Sequence, residues 1–269
     1  MPLNGAEEKV MNGKMQSTAV VIRSYNNRHV AKAVKNYLTI GVGRVIIVVN
    51  TSADKGATRG FLGTTAQDPR VQVIEMTEGY SWSNALNRAL MAIQMANVGK
   101  RQRGETEFRF VLNASVEALF TADHLAAMLD AATDDPRIGV VGTSFQGRQD
   151  GNRISLGRSY RHPRNTGMLV RIEAMGVMSA GFDNRCDDLG GMEDIDFTLR
   201  MISLSGLRTE MLDLNVPLVV GVHYDQRTKE QREQAAMDNI VANWRSLFTL
   251  GTEERDRIEA VISEMGLEE

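Results

Sequence analysis

Apolar residues in this chain arrive in short dense runs, separated by longer stretches in which they recur every three or four positions. The runs at 18–22 (Thr-Ala-Val-Val-Ile), 44–49 (Arg-Val-Ile-Ile-Val-Val), 71–74, 108–112, 138–141 and 168–170 are too short for helices and rich in β-branched side chains. That is the pattern of strands buried on both faces of a parallel sheet. Between them, Val30, Val34, Tyr37 and Leu38 share one helical face, as do Trp82, Ala85, Leu86, Ala89 and Ile93, and Leu125, Met128, Leu129 and Ala132. Asn26 or Asn27, Ser81 and Thr121 stand where these helices need caps, while Gly41 with Gly43, and Asp-Asp-Pro at 134–136, close them. The alternation predicts an α/β fold with a mostly parallel central sheet and right-handed β-α-β units.

Three stretches break the rhythm. Residues 1–17 are polar and predict a flexible N-terminus. Residues 142–165 carry Arg148, Arg153, Arg158, Arg161 and Arg164 among scattered glycines, a long connection with room for a small edge hairpin. After a helix at 193–204 closed by Gly206, a short apolar run at 216–220 contains Pro217, which predicts an edge strand. Two helices are expected near 229–247 and 253–265. The predicted organisation is one domain over 18–226, with C-terminal helices over 227–269 packing on the domain or on a partner.

Composition narrows the function classes. A net charge of −3 argues against nucleic acid as a partner. The single cysteine, Cys186, excludes an intramolecular disulfide and a cysteine zinc cluster, and suits a reducing compartment. The first residues carry acid and no apolar core of a secretory signal, and no run reaches the roughly 18 apolar residues of a membrane helix. The expected location is cytoplasmic, at most peripheral at the inner membrane face. The 15 methionines fall mostly on apolar faces and read as core filler.

In open parallel sheets ligands bind beyond the carboxyl ends of the strands. That rule selects Arg23-Ser24-Tyr25-Asn26, Asn50-Thr51-Ser52-Ala53-Asp54, Asn113-Ala114-Ser115-Val116-Glu117 and the loop before Glu193. Such residues also cap helices and close turns without further duty. The densest signal is Gly181-Phe182-Asp183, then Gly190-Gly191-Met192-Glu193-Asp194-Ile195-Asp196 and Arg200. Three acids in the first turn of a helix complement its dipole, and a carboxylate so placed stays ionised, ready to accept a proton.

Gly-Phe-Asp, a gap, and Gly-Gly-x-Glu-Asp-x-Asp-x-x-x-Arg resemble the acceptor-side motif of family 2 glycosyltransferases. Residues 20–27 resemble that family's first strand with its Tyr-Asn ending, and 48–54 its second strand. Residues 79–89, with Asn87, resemble the helix beginning beside the nucleotide, and 165–173 the segment before Gly-Phe-Asp. Residues 111–117 occupy the place of its Asp-x-Asp metal motif. The likeness spans about residues 18–224. It implies a GT-A three-layer sandwich with a C-terminal helical tail, and inverting transfer of a sugar from a nucleotide-diphosphate sugar to an acceptor hydroxyl. By the same resemblance Asp194 is the general base, and Glu193 and Asp196 orient it or bind acceptor. Arg23, Tyr25, Asn26, Asn50, Ser52, Asp54, Asn87, Asn113 and Ser115 bind the nucleotide sugar, and His223 with Glu117 is the candidate metal set. The expected sugar donor carries UDP, GDP or dTDP. The acceptor is a glycan, a lipid-linked or a small molecule, and a homodimer is compatible.

The chain departs from the motif where charge matters. Asn50 replaces an aspartate on strand two, and Ser115 replaces the metal-motif aspartate. A serine hydroxyl is a poor ligand for Mg²⁺ or Mn²⁺. Arginines substitute for a metal as diphosphate ligands in chemical principle, and Arg158, Arg161 and Arg164 are the candidates. Two other classes stay open. One is an inactive GT-A-like protein that binds a nucleotide sugar or glycan or serves in assembly. The other, a nucleotidyltransferase, lacks its Gly-rich loop, since residues 23–28 read Arg-Ser-Tyr-Asn-Asn-Arg.

Overall fold

A computed structural model describes residues 5–24, 27–79, 81–146, 153–155, 159–161, 163–176, 181–182 and 193–218. Its strands are β1 (Thr18–Ser24), β2 (Arg44–Asn50), β3 (Val71–Met76), β4 (Phe110–Ala114), β5 (Ile138–Phe145), β6 (Arg153–Ser155), β7 (Ser159–Arg161), β8 (Gly167–Arg171) and β9 (Arg208–Val216). The helices are α1 (Gly5–Gln16), α2 (Val30–Ile40), α3 (Thr51–Asp54), α4 (Ala57–Leu62), α5 (Trp82–Gln102), α6 (Ala122–Asp134), α7 (Ile172–Gly176) and α8 (Glu193–Ser205).

Seven strands form one sheet in the order β3-β2-β1-β4-β8-β5-β9. Only β8 runs against its neighbours, antiparallel to both β4 and β5. β6 and β7 pair as a separate antiparallel hairpin inside the arginine-bearing connection. The dense apolar runs are explained by burial on both sides. Ala19 and Val21 of β1 with Ile46 and Val48 of β2 face a core shared with α5 and α8. Val20 and Ile22 with Val45, Ile47 and Val49 face the opposite core, filled by α2, α6 and Met15 of α1. Alternate residues thus enter different layers, so both faces of these central strand segments are apolar. The molecule is an α/β sandwich with a mostly parallel mixed sheet.

Helix ends follow the expected chemistry in two cases. The Ser81 hydroxyl accepts from Asn84 N, and the Thr121 hydroxyl accepts from His124 N. At α2 the cap position is His29, without a side-chain cap bond, and Asn27 Oδ1 instead accepts from His29 N at 2.9 Å. Asn26 lies outside the described residues.

Four segments differ from the sequence expectation. Residues 5–16 are helical rather than an irregular lead-in. Met15 is buried, Met11 packs against the same core and Lys14 Nζ donates to Asp130 of α6 at 2.6 Å, so two methionines and an ion pair anchor a largely polar helix. β4 begins at Phe110, not 108, because Phe108 is already spoken for. Its N–H donates to Asn97 Oδ1 at 2.7 Å and its carbonyl accepts from Asn97 Nδ2 at 2.9 Å. The last strand ends at Val216, where an apolar run had predicted one to begin. β9 is an edge strand of alternating exposure, so its polar residues hid it, and Pro217 has no N–H with which to continue the ladder. Trp82, expected on the buried face of α5, is half exposed. The helices expected beyond residue 226 lie outside the described residues.

The Asn97 clamp leads to a test. Asn97→Ala leaves a buried N–H and carbonyl of Phe108 unpaired, and stability is expected to fall by about 1–3 kcal/mol. Urea unfolding reads this as a lower midpoint at unchanged slope; an unchanged midpoint contradicts the clamp.

Candidate functional site

The strand order places a reversal beside β1. The connection through α2 carries the chain from β1 to β2 on one side, whereas the one through α5 brings β4 in on the other. Such a switch point opens a crevice at the carboxyl ends of the two strands. Arg23 and Ser24 end β1, Asn50 ends β2, and Asn113 and Ala114 end β4. The sites expected from the strand ends therefore converge on one edge of the sheet.

β8 brings the acidic helix to that edge. Because it runs antiparallel to β4 with Ala114 opposite Gly167, the turn before β8 lies at the carboxyl end of β4. That turn is closed by Gly167 N donating to Arg164 O at 3.0 Å, and Ser115 N donates to Thr166 O at 3.1 Å. Asn165 in the turn makes two further contacts. Its side-chain Oδ1 accepts from Asn113 Nδ2 at 2.5 Å, and its backbone N–H donates to Asp194 Oδ2 at 3.1 Å. Asn113, Asn165 and Asp194 are 2 %, 6 % and 7 % exposed, so the chain of contacts is shielded from water. The second amide atom of Asn113, its buried Oδ1, has no hydrogen-bond partner among the described residues, and neither has the buried Nε of Arg164. An acceptor and a cationic donor are thereby present on the two segments that meet at Asn165.

α8 is held in place by the motif's other polar residues. Asp196 accepts from Arg200 Nη2 at 2.5 Å and Nε at 2.8 Å, and Arg200 Nη2 also donates to Gly181 O at 2.9 Å. Asn87 of α5 grips the next residue. Its Nδ2 donates to Phe182 O at 2.8 Å while its Oδ1 accepts from Phe182 N at 2.9 Å. Phe182 stacks on Phe197 of α8 with ring centroids 4.5 Å apart. Asn87 and Asp196, predicted to touch substrates, thus have described contacts that fasten the Gly181–Phe182 segment between α5 and α8. Gly181 is required there. It has φ +58°, and a Cβ would lie 2.5 Å from Asn87 Oδ1.

The remaining expected residues divide. Asp54 is buried and accepts from Thr58 N at 2.9 Å and Thr58 Oγ1 at 2.5 Å, with Ser24 Oγ 3.0 Å from the same hydroxyl. It links α3 and α4 to the end of β1. Ser115 Oγ accepts from Glu117 N at 3.2 Å, which forms the turn after β4. Asn50 stands at the cap of α3 without a side-chain cap bond. Tyr25, Asn26, Arg158 and His223 lie outside the described residues, as do the side chains of Ser52, Arg161 and Glu193.

Two of the candidate groups after β4, those of Asn113 and Ser115, do not suit a hard divalent cation, which leaves Glu117 as the carboxylate of that segment. Mg²⁺ and Mn²⁺ bind through carboxylates and phosphates, whereas Asn113 and Ser115 offer an amide and a hydroxyl already engaged by Glu117 N. Among the described residues no three His, Cys, Asp or Glu side chains converge. The expected pairing of Glu117 with His223 falls partly outside the described residues. Among those residues, too, no helix is long and apolar enough to cross a membrane.

Sequence reasoning gave no role to Asn165 or Asn97. Asn97 carries a signal: a buried polar residue on the same face as Ala89 and Ile93. Asn165 carries none, since only the antiparallel run of β8 brings it to β4. Neither the protein-family models nor the curated proteins contain a match to this chain.

The Gly181 contact is testable. Gly181→Ala is expected to lower stability by about 1–3 kcal/mol. In an Asn87→Ala background the loss should shrink by at least about 0.5 kcal/mol, since the clashing amide is gone. Strict additivity of the two changes in urea unfolding would contradict the contact.

Proposed function

We propose that the protein transfers a sugar from a nucleotide-diphosphate sugar to an acceptor hydroxyl with inversion, on a GT-A-type sandwich, with Asp194 as general base. The observation that carries this reading is the buried Asn113–Asn165–Asp194 chain, in which the backbone N–H of Asn165 ties Asp194 of the helix motif to the switch-point edge. The strand order, with a lone antiparallel strand beside β4, supports the same reading. So does the likeness of the Gly-Phe-Asp and Glu-Asp-x-Asp strings to family 2 glycosyltransferases.

In this reading the Asp194 carboxylate takes the proton of the acceptor hydroxyl as its oxygen attacks the anomeric carbon. The bond from that carbon to the diphosphate oxygen breaks, and the nucleoside diphosphate leaves with the electron pair. Negative charge then grows on the diphosphate. Arg164, whose Nε has no acceptor among the described residues, supplies a guanidinium for it. Asn113 Oδ1 accepts a hydroxyl of the sugar donor. Asn113 and Ser115 are a poor set for a divalent metal, so Glu117 and His223 are the ligands left for one if the reaction uses it. A second reading, a nucleotide-sugar or glycan binding protein without turnover, is favoured by Ser115, whose hydroxyl is committed to its own turn.

Calorimetric titration with UDP, GDP and dTDP, each with Mn²⁺ and with EDTA, tests both. One nucleotide is expected to bind at micromolar Kd in EDTA. Asp194→Asn should keep that affinity and lose about 10²–10⁴-fold in turnover of the matching nucleotide sugar. Binding without turnover in the unaltered protein selects the second reading, and no binding of any nucleotide defeats the transferase.

A further inference from the structure

The exposed indole at the start of α5 is not used by any contact described so far. Trp82 is 48 % exposed, while Ala85, Leu86 and Ala89 on the same helix are buried. The ring is nevertheless held in one place. The Arg23 guanidinium carbon lies 3.7 Å from the ring centroid, at stacking distance, and Arg23 belongs to the end of β1. One ring face is therefore covered by a cation, and the exposed area belongs to the opposite face and the ring edge. A cation–π contact of this kind fixes the ring before any ligand arrives.

We propose that the open face of Trp82 is a stacking platform for the nucleobase of the sugar donor, backed by Arg23. The inference rests on the transferase reading and adds a residue to it. Asp194, which serves the attacking oxygen, is fixed at the turn before β8. β4 separates that strand from β1 in the sheet order. Arg23 and Trp82 stand at the carboxyl end of β1, across β4 from that turn, so a donor with its diphosphate at Arg164 and its base at Trp82 spans β4. The flat group at the far end of a nucleoside diphosphate is its base. Every base has a π-face, so the platform supplies affinity, and the choice among bases falls to polar groups such as Asn50.

The chain has two tryptophans, Trp82 and Trp244, so Trp244→Phe leaves Trp82 as the sole indole reporter. In that variant UMP, GMP and dTMP are titrated by fluorescence, with ribose 5-phosphate and methyl glucoside as ligands lacking a base. One nucleotide is expected to quench emission saturably, and ribose 5-phosphate to leave it unchanged. In the otherwise unaltered chain, Trp82→Ala should weaken calorimetric binding of the matching nucleoside diphosphate about 10-fold or more. Trp82→Phe should keep affinity within about threefold, with the unfolding midpoint of both variants confirming the fold. Nucleotide affinity unchanged in Trp82→Ala overturns the platform while the transferase reading stands. Saturable quenching by methyl glucoside but by no nucleotide also overturns it, by assigning the ring to an acceptor sugar. Absence of nucleotide binding to the unaltered protein overturns both.

Discussion

A side-chain amide that bonds to another amide inside a protein is an expensive arrangement unless every contact is made. Asn113 and Asn165 meet because β8 runs against β4, and the contact leaves Asn113 Oδ1 without a partner among the described residues. The antiparallel pairing puts the turn before β8 at the end of β4, and Asn165 closes the gap with its side chain while its backbone N–H holds Asp194. Were β8 parallel, that turn would lie at the opposite edge of the sheet, and the acidic helix would have nothing on β4 to meet. One strand's direction therefore decides whether the candidate base faces the crevice.

The same logic recurs with two other asparagines. On α5, Asn87 and Asn97 each use an amide to engage both the N–H and the carbonyl of one phenylalanine, Phe182 and Phe108. Each substitutes for a missing ladder or helix partner, which keeps an irregular segment of backbone satisfied without another strand. The first clamp ties α5 to the Gly181–Phe182 segment, to which Arg200 and Asp196 attach α8 from the other side. The longest helix of the described fold thereby braces the acidic helix, and the described contacts of Asp196 and Arg200 in the acidic motif are fastenings.

Much of the fold was legible because burial on both sheet faces leaves dense β-branched runs, and because Ser81 and Thr121 are effective caps. What the pattern could not convey was local exchange of partners. The two-residue shift at the start of β4 follows from Asn97, and β9 was concealed because an edge strand alternates in polarity. At the site, Asp194 was legible from a motif, since acids in a first helical turn are visible as spacing. Asn165 was not, because its value arises from a strand direction that no local spacing encodes. Asn87, Asp54 and Asp196 show the converse: motif position marked them as ligand groups, yet their described partners are within the protein. Trp82 was misplaced because periodicity assigns a face to an apolar residue but does not register a cation drawn over it.

The most direct test of the central claim is ¹⁵N–¹H chemical-shift mapping of the full chain with UDP, GDP and dTDP. The account predicts that a bound nucleotide shifts the side-chain amide of Asn113, and with it the side-chain amide and backbone N–H of Asn165. It also predicts perturbation of the backbone at the ends of β1 and β2. A nucleotide that binds with those asparagine signals unmoved, and its shifts gathered elsewhere, would show that the Asn113–Asn165–Asp194 chain is not part of the site.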